Sequence, residues 1–182
     1  MMLSWNPAQT SDGVNTLLRQ LALDYPVIPQ DQAPAGTTRL EFQPTPEAGV
    51  VHVTRQADGY LIRYDTPTRA ARGLGAVLGG LVSDEAAYRE CCPFKTFGIM
   101  LDCSRNAVMR PDHFKLWLRR LALLGFNLAM VYTEETYEIP GEDYFGYLRG
   151  RFTAAELKDL NDYALGLGIE MVGCIQTLGH RE

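Results

Sequence analysis

The sequence predicts an α/β protein in two units: a small α+β unit over residues 1–92 and an alternating strand–helix unit over residues 93–182. Three observations predict it. Residues 97–175 alternate apolar runs with helical stripes in the order β-α-β-α-β, the pattern of parallel strands joined by right-handed crossovers. Residues 39–64 hold three short extended runs with a hairpin signal, flanked by amphipathic helical patterns. The 182 residues are 46% hydrophobic and 21% charged, which gives the chain a core to bury and excludes disordered, collagen-like and disulfide-stapled classes.

In the first unit, Val14, Leu17, Leu18 and Leu21 recur at helical spacing within Ser11–Leu23. A loop rich in Pro, Gln and Ala is expected from Pro26 to Gly36. Extended runs follow at Arg39–Phe42, Val50–Thr54 and Tyr60–Tyr64, with Asp58-Gly59 as a hairpin signal, so an antiparallel sheet is expected. Thr66-Pro67 reads as the cap and first-turn proline of a second helix, with Leu74, Val77, Leu78 and Leu81 as its stripe. Gly73-Leu74-Gly75 and Gly79-Gly80 have neither the strand before nor the lysine after that a phosphate loop needs.

In the second unit, Phe97–Leu101 is a continuous apolar run, as expected of a strand covered on both faces. Pro111-Asp112 opens a helix with the stripe Phe114, Trp117, Leu118, Leu121 and Leu124, and Gly125 stands where a left-handed residue would end it. Leu128–Tyr132 is the next buried strand. Thr153-Ala154-Ala155-Glu156 is a capping box, and Leu157, Leu160, Ala164 and Leu167 carry that helix to Gly168. Ile169–Ile175 is the third strand. A closed (β/α)₈ barrel takes about 250 residues against roughly 90 here, so the chain is expected to be the first part of something longer or a truncated fold.

Several function classes are set aside. No apolar run approaches the roughly 20 residues that cross a bilayer, and Met1–Pro7 has neither the basic nor the apolar region of a signal peptide. A net charge of -5 without a Lys/Arg block disfavours nucleic acid and anionic membrane as partners. The four cysteines form no C-x-x-C pair and are expected as buried free thiols, in keeping with a cytoplasmic protein. His52 and His113 lack metal-ligand spacing. Ser104 lacks a nucleophile elbow. No cofactor is expected.

Chemistry in a parallel α/β fold gathers at the carboxyl ends of the strands. Those ends are Asp102-Cys103-Ser104-Arg105-Asn106, Thr133-Glu134-Glu135-Thr136-Tyr137 and Gln176-Thr177-Leu178-Gly179-His180. Carboxylates accept hydrogen bonds in pairs and suit vicinal sugar hydroxyls, so Asp102, Glu134 and Glu135 are candidates, against the plainer reading of salt bridges or caps. Arg105 would grip a ligand oxygen or pin Asp102. His180 suits a positioned imidazole near neutral pH. Tyr137, Tyr144, Phe145 and Tyr147 would stack on a sugar ring or pack over the rim.

At these tips the sequence resembles glycoside hydrolase family 20, the β-N-acetylhexosaminidases. The resemblance lies in Phe97-Gly-Ile-Met-Leu-Asp-Cys-Ser-Arg-Asn106, Tyr132-Thr-Glu-Glu-Thr136 and Gln176-Thr-Leu-Gly-His180. Tyr137-Glu-Ile-Pro-Gly141 and Tyr144-Phe-Gly-Tyr-Leu-Arg-Gly150 are similar to an intracellular bacterial subgroup. It covers residues 94–182, while the first unit matches in layout. It implies the first β-α-β-α-β part of a (β/α)₈ TIM barrel, exo-acting removal of N-acetylglucosamine or N-acetylgalactosamine, and a retaining mechanism in which the substrate's 2-acetamido group is the nucleophile. The family's catalytic Asp-Glu pair follows the fourth strand, beyond Glu182, so this chain alone is expected to be inactive. The resemblance gives His180 a role supporting the acid and puts Glu134 and Glu135 near sugar hydroxyls. Phe97 stands where better-known members carry a sugar-gripping arginine, leaving that role to Arg72 or Arg105, and Gln176 stands where they often carry an aspartate. The rival expectation is a non-catalytic carbohydrate-binding or assembly module whose sheet another chain completes, as an oligomer or with a missing C-terminal part.

Overall fold

The computed structural model describes residues 1–83, 87–105 and 108–175. Strands β1 (Leu3–Trp5), β2 (Val27–Pro29), β3 (Thr38–Pro44), β4 (Val50–Gln56), β5 (Gly59–Tyr64) and β6 (Tyr88–Cys91) form one sheet in the order β2-β1-β3-β5-β4-β6. The sheet is mixed, not antiparallel as expected. β1 runs parallel to β2 and β3, and β3 parallel to β5, while β4 is antiparallel to β5 and β6. The physical reason is a β-α-β unit at the start: β1, helix α1 (Asp12–Leu21) and β2. Its three-residue strands are too short to show alternation, yet they turn that side of the sheet parallel. The expected β4–β5 hairpin is present. Gly59 already lies within β5, where a Cβ would stand 1.9 Å from the Arg39 carbonyl oxygen. The glycine lets β3 close on β5.

α1 buries Val14, Leu17, Leu18 and Leu21, and helix α2 (Pro67–Leu78) buries Leu74 and Val77; Leu81 is past the helix end and exposed. α2 is packed on two sides. A Cβ on Gly73 would meet the Ile62 side chain at 2.5 Å, and one on Gly75 would meet the Leu123 carbonyl oxygen at 2.2 Å. These glycines therefore allow close packing between layers.

The second sheet is β7 (Gly98–Asp102), β8 (Leu128–Tyr132) and β9 (Glu170–Cys174), all parallel and in that order. Helices α3 (Pro111–Leu123) and α4 (Ala154–Gly166) supply the crossovers. At the end of α3, Gly125 takes φ 84°, with hydrogen bonds from Gly125 N to Ala122 O (2.9 Å) and from Phe126 N to Leu121 O (3.1 Å), a Schellman closure. Thr153 and Glu156 cap α4 reciprocally, at 2.8 and 3.1 Å. Ile99, Leu101, Ala129 and Val131 pack into the core, but the opposite face is uncovered, with Met100 54% exposed. This corrects the expectation of strands covered on both faces: the apolar run is continuous because one face meets helices and the other is the inward face of a barrel-type sheet.

The layers run first sheet, α1 with α2, α3 with α4, second sheet, and one apolar cluster extends through them. Arg119 of α3 ties the helical layers, donating to the Asp24 carboxylate and to Tyr163 Oη at 2.7 Å. Of the cysteines, all free, Cys103 is buried and Cys91 is exposed, with Cys92 and Cys174 half-buried. The expected burial fails for those three because β6 is an edge strand and Cys174 sits on the uncovered side of β9. No helix among the described residues is long and apolar enough to cross a membrane.

Candidate functional site

Asp102, Tyr132 and Cys174 are register partners at the carboxyl ends of the three parallel strands. Backbone bonds lock the tips beyond them: Cys103 N to Tyr132 O (2.8 Å) and Thr133 N to Cys174 O (3.3 Å). The buried Thr136 hydroxyl donates to Cys103 O (2.8 Å) and Thr133 O (2.7 Å). On this rigid base Asp102 Oδ1 accepts from Ser104 Oγ (2.7 Å) and Ser104 N (2.8 Å). These bonds, the hydroxyl's foremost, hold its carboxyl below the usual aspartate range, and the Arg105 guanidinium adds to the effect.

Tyr132 is the hub. Its hydroxyl donates to Glu134 Oε1 at 2.9 Å. Desolvation pushes the phenol up, the bond to Glu134 adds to this, and the charges of Asp102 and Arg105 also act on it, with opposite signs. Asp102, Arg105 and Glu134 therefore share one electrostatic neighbourhood around Tyr132. Glu134 adopts a left-handed backbone, φ 47°, which costs a non-glycine residue about 1–2 kcal/mol. Such strain persists where the surroundings enforce it, and it collects at functional sites.

The other expected site residues fall elsewhere. Glu135 turns away from the hub and pairs with Arg149 Nη1 at 2.5 Å, while Arg149 also donates to the Ser104 carbonyl. Glu135 thus braces the β8–α4 loop against the β7 tip. Arg72 does not reach the tips. It donates to Glu90 at 2.6–3.0 Å and to Tyr88 Oη at 2.7 Å, and its stem lies beside Gly125, which precedes β8. This corrects Arg72 as a strand-tip residue; the arginines at the tips are Arg105, exposed beside Tyr132, and Arg149. His180 and Gln176 lie outside the described residues, as does Asn106.

Sequence reasoning missed Tyr132 and Arg149. Tyr132 had a usable signal, since it lies two residues before Glu134 and shares strand-end position with Asp102; Arg149 had none, being defined by a loop contact. In that loop Tyr137 and Phe145 pack edge-on at 5.2 Å, whereas Tyr144 (87% exposed) and Tyr147 face solvent. His52 bonds Glu47 at 3.0 Å and His113 accepts from Trp117 at 3.1 Å. Among the described residues no cluster of three or more His, Cys, Asp or Glu could hold a metal.

Acidic, phenolic and guanidinium groups thus gather at the ends of consecutive parallel strands, where a barrel-type α/β scaffold carries its chemistry. The sequence matches no family model, and no curated protein matches it. Solved structures share its fold. The Streptomyces plicatus N-acetyl-β-hexosaminidase in complex with thio-NAglucal matches with a TM-score of 0.71 at 17% identity, over 97% of this chain and 42% of that one. The Vibrio harveyi GH20 exo-β-N-acetylglucosaminidase in complex with N-acetylglucosamine gives 0.66 at 16%, over 94% and 32%. The Streptomyces coelicolor GH20 β-N-acetylhexosaminidase gives 0.63 at 15%, over 95% and 41%. The likeness spans both sheets, so the small unit and the start of the barrel have the fold of these hydrolases. The chain spans 32–42% of the length of these three neighbours.

Proposed function

We propose that these residues are part of a glycoside hydrolase that removes terminal N-acetylglucosamine or N-acetylgalactosamine, with residues 1–92 as a supporting unit and residues 93–182 as the start of the catalytic barrel. The observation that carries this reading is the Asp102–Tyr132–Glu134 rim at the strand tips, on a fold shared with β-N-acetylhexosaminidases. Asp102, kept ionised, accepts from sugar hydroxyls; Tyr132 holds Glu134 in place to do the same; Arg105 donates to a ring or hydroxyl oxygen. In the proposed reaction the substrate's acetamido oxygen attacks the anomeric carbon, and the configuration is retained after water opens the resulting ring. An acid and an amide-orienting carboxylate from after a fourth strand complete the site, and His180 supports the acid. No step calls for a metal or organic cofactor. Free thiols accord with residence in the cytoplasm.

Hydrolysis of an aryl N-acetyl-β-D-glucosaminide tests this, comparing these 182 residues with the whole reading frame that contains them. The longer product is expected to turn over, with Asp102→Asn or Glu134→Gln lowering kcat/KM by about 100-fold, roughly 2.7 kcal/mol. Turnover by the 182 residues alone, or indifference to both substitutions, contradicts the reading. The uncovered sheet face, with Met100 54% and Val172 37% exposed, favours a second reading: a non-catalytic glycan-binding module closed by another chain. Concentration-dependent association in sedimentation, without turnover by the longer product, would select it.

A further inference from the structure

We propose that a cavity at the junction of the two sheets, on the side where the barrel strands begin, binds a tetrahedral oxyanion of the phosphate or sulfate type. The cavity, about 370 Å³, is lined by Arg69, Lys95, Asp65, Thr66, Phe94 and Asn127, among others. Asn127 fixes its place: it accepts from Phe97 N (2.7 Å) and donates to Lys95 O (2.9 Å), immediately before β7 and β8.

Arg69 carries the inference. It is only 6% exposed, and among the described residues no hydrogen bond or ion pair holds its guanidinium. The chain's other deeply placed arginines are partnered: Arg72 by Glu90 and Tyr88, Arg119 by Asp24 and Tyr163. Glu90 lies within electrostatic reach of Arg69, but Arg72 and Tyr88 already bond its carboxylate. None of its nitrogens is shut off from solvent, so its unpaired donors open on the cavity, where a group that supplies acceptors would be bound.

Two further features give the cavity its sign. Lys95, exposed at the mouth, has no ion pair among the described residues. The N-terminal end of the 12-residue α2 adds its dipole, with Thr66 and Thr68 in the lining. The one carboxylate in the lining, Asp65, accepts from Gly49 N at 2.6 Å and from Thr66 Oγ1 at 3.3 Å. Two cations therefore face one bonded anion. The space exceeds the roughly 30 Å³ share of a water molecule many times over, which admits an ester as well as a free ion.

Thermal unfolding of the 182-residue chain at neutral pH and matched ionic strength tests the site, with chloride, inorganic phosphate and N-acetylglucosamine 6-phosphate as probes. Phosphate is expected to raise Tm by about 3 °C or more at saturation over chloride. Arg69→Met should abolish the response, and the surface substitution Lys95→Ala should weaken affinity several-fold. An equal response to both phosphate probes identifies the free ion as sufficient, and a stronger one to the ester identifies an esterified ligand; each supports the site. No phosphate effect beyond chloride, or an undiminished response in Arg69→Met, overturns it. Should Arg69→Met fail to fold, unchanged affinity in Lys95→Ala overturns it instead.

Discussion

Glu134 is held in a left-handed backbone with its carboxylate bonded by the Tyr132 hydroxyl, so the two residues act as one unit. Tyr132→Phe removes the bond at a half-buried tip. It should change stability by less than about 1 kcal/mol while weakening N-acetylglucosamine binding about tenfold, checked by chemical unfolding beside calorimetric titration. Asp102 titrates below its ordinary 3.8, so binding through it should persist as the pH falls past that value and fail only lower, which a pH series of the same titration reads. Glu90, lowered from 4.5 chiefly by Arg72, has the matching stability effect. Its contribution is complete above 4.5 and is lost as the pH falls through the lower folded value, so Glu90→Gln should flatten that limb of acid unfolding. Asp102 and Glu134 were legible because strand-end position is readable from apolar runs. The choice between Arg72 and Arg105 was not, because it turns on Glu90 and Tyr88, which only the fold brings to Arg72.

At the level of elements, the devices with strong local chemistry could be read directly. The Thr153–Glu156 capping box and the Gly125 closure are both formed, and the β4–β5 hairpin stands where Asp58-Gly59 placed it. β1 and β2 escaped notice because three residues cannot display a period of two, and with them went the mixed character of the first sheet. Gly75 sets the distance between helical layers. Gly75→Val should destabilise by about 1–3 kcal/mol through overpacking against the Leu123 carbonyl, measurable as a lower urea midpoint with unchanged slope.

Across the whole molecule, two sheets enclose two layers of helices, and the second sheet leaves its inward face and its charged tips uncovered. The alternation of strands and helices made the parallel sheet legible; the open face was not, because an apolar strand reads alike whether helices or a barrel interior meet it. The claim on which the functional reading rests is that the rim around Tyr132 receives a hexosamine. Its most direct test is a heteronuclear NMR titration of the 182-residue chain with N-acetylglucosamine, with glucose as control. The account predicts saturable shifts confined to the amides of Asp102–Arg105 and Tyr132–Glu135, absent with glucose. Shifts centred elsewhere, or identical for the two sugars, would contradict it.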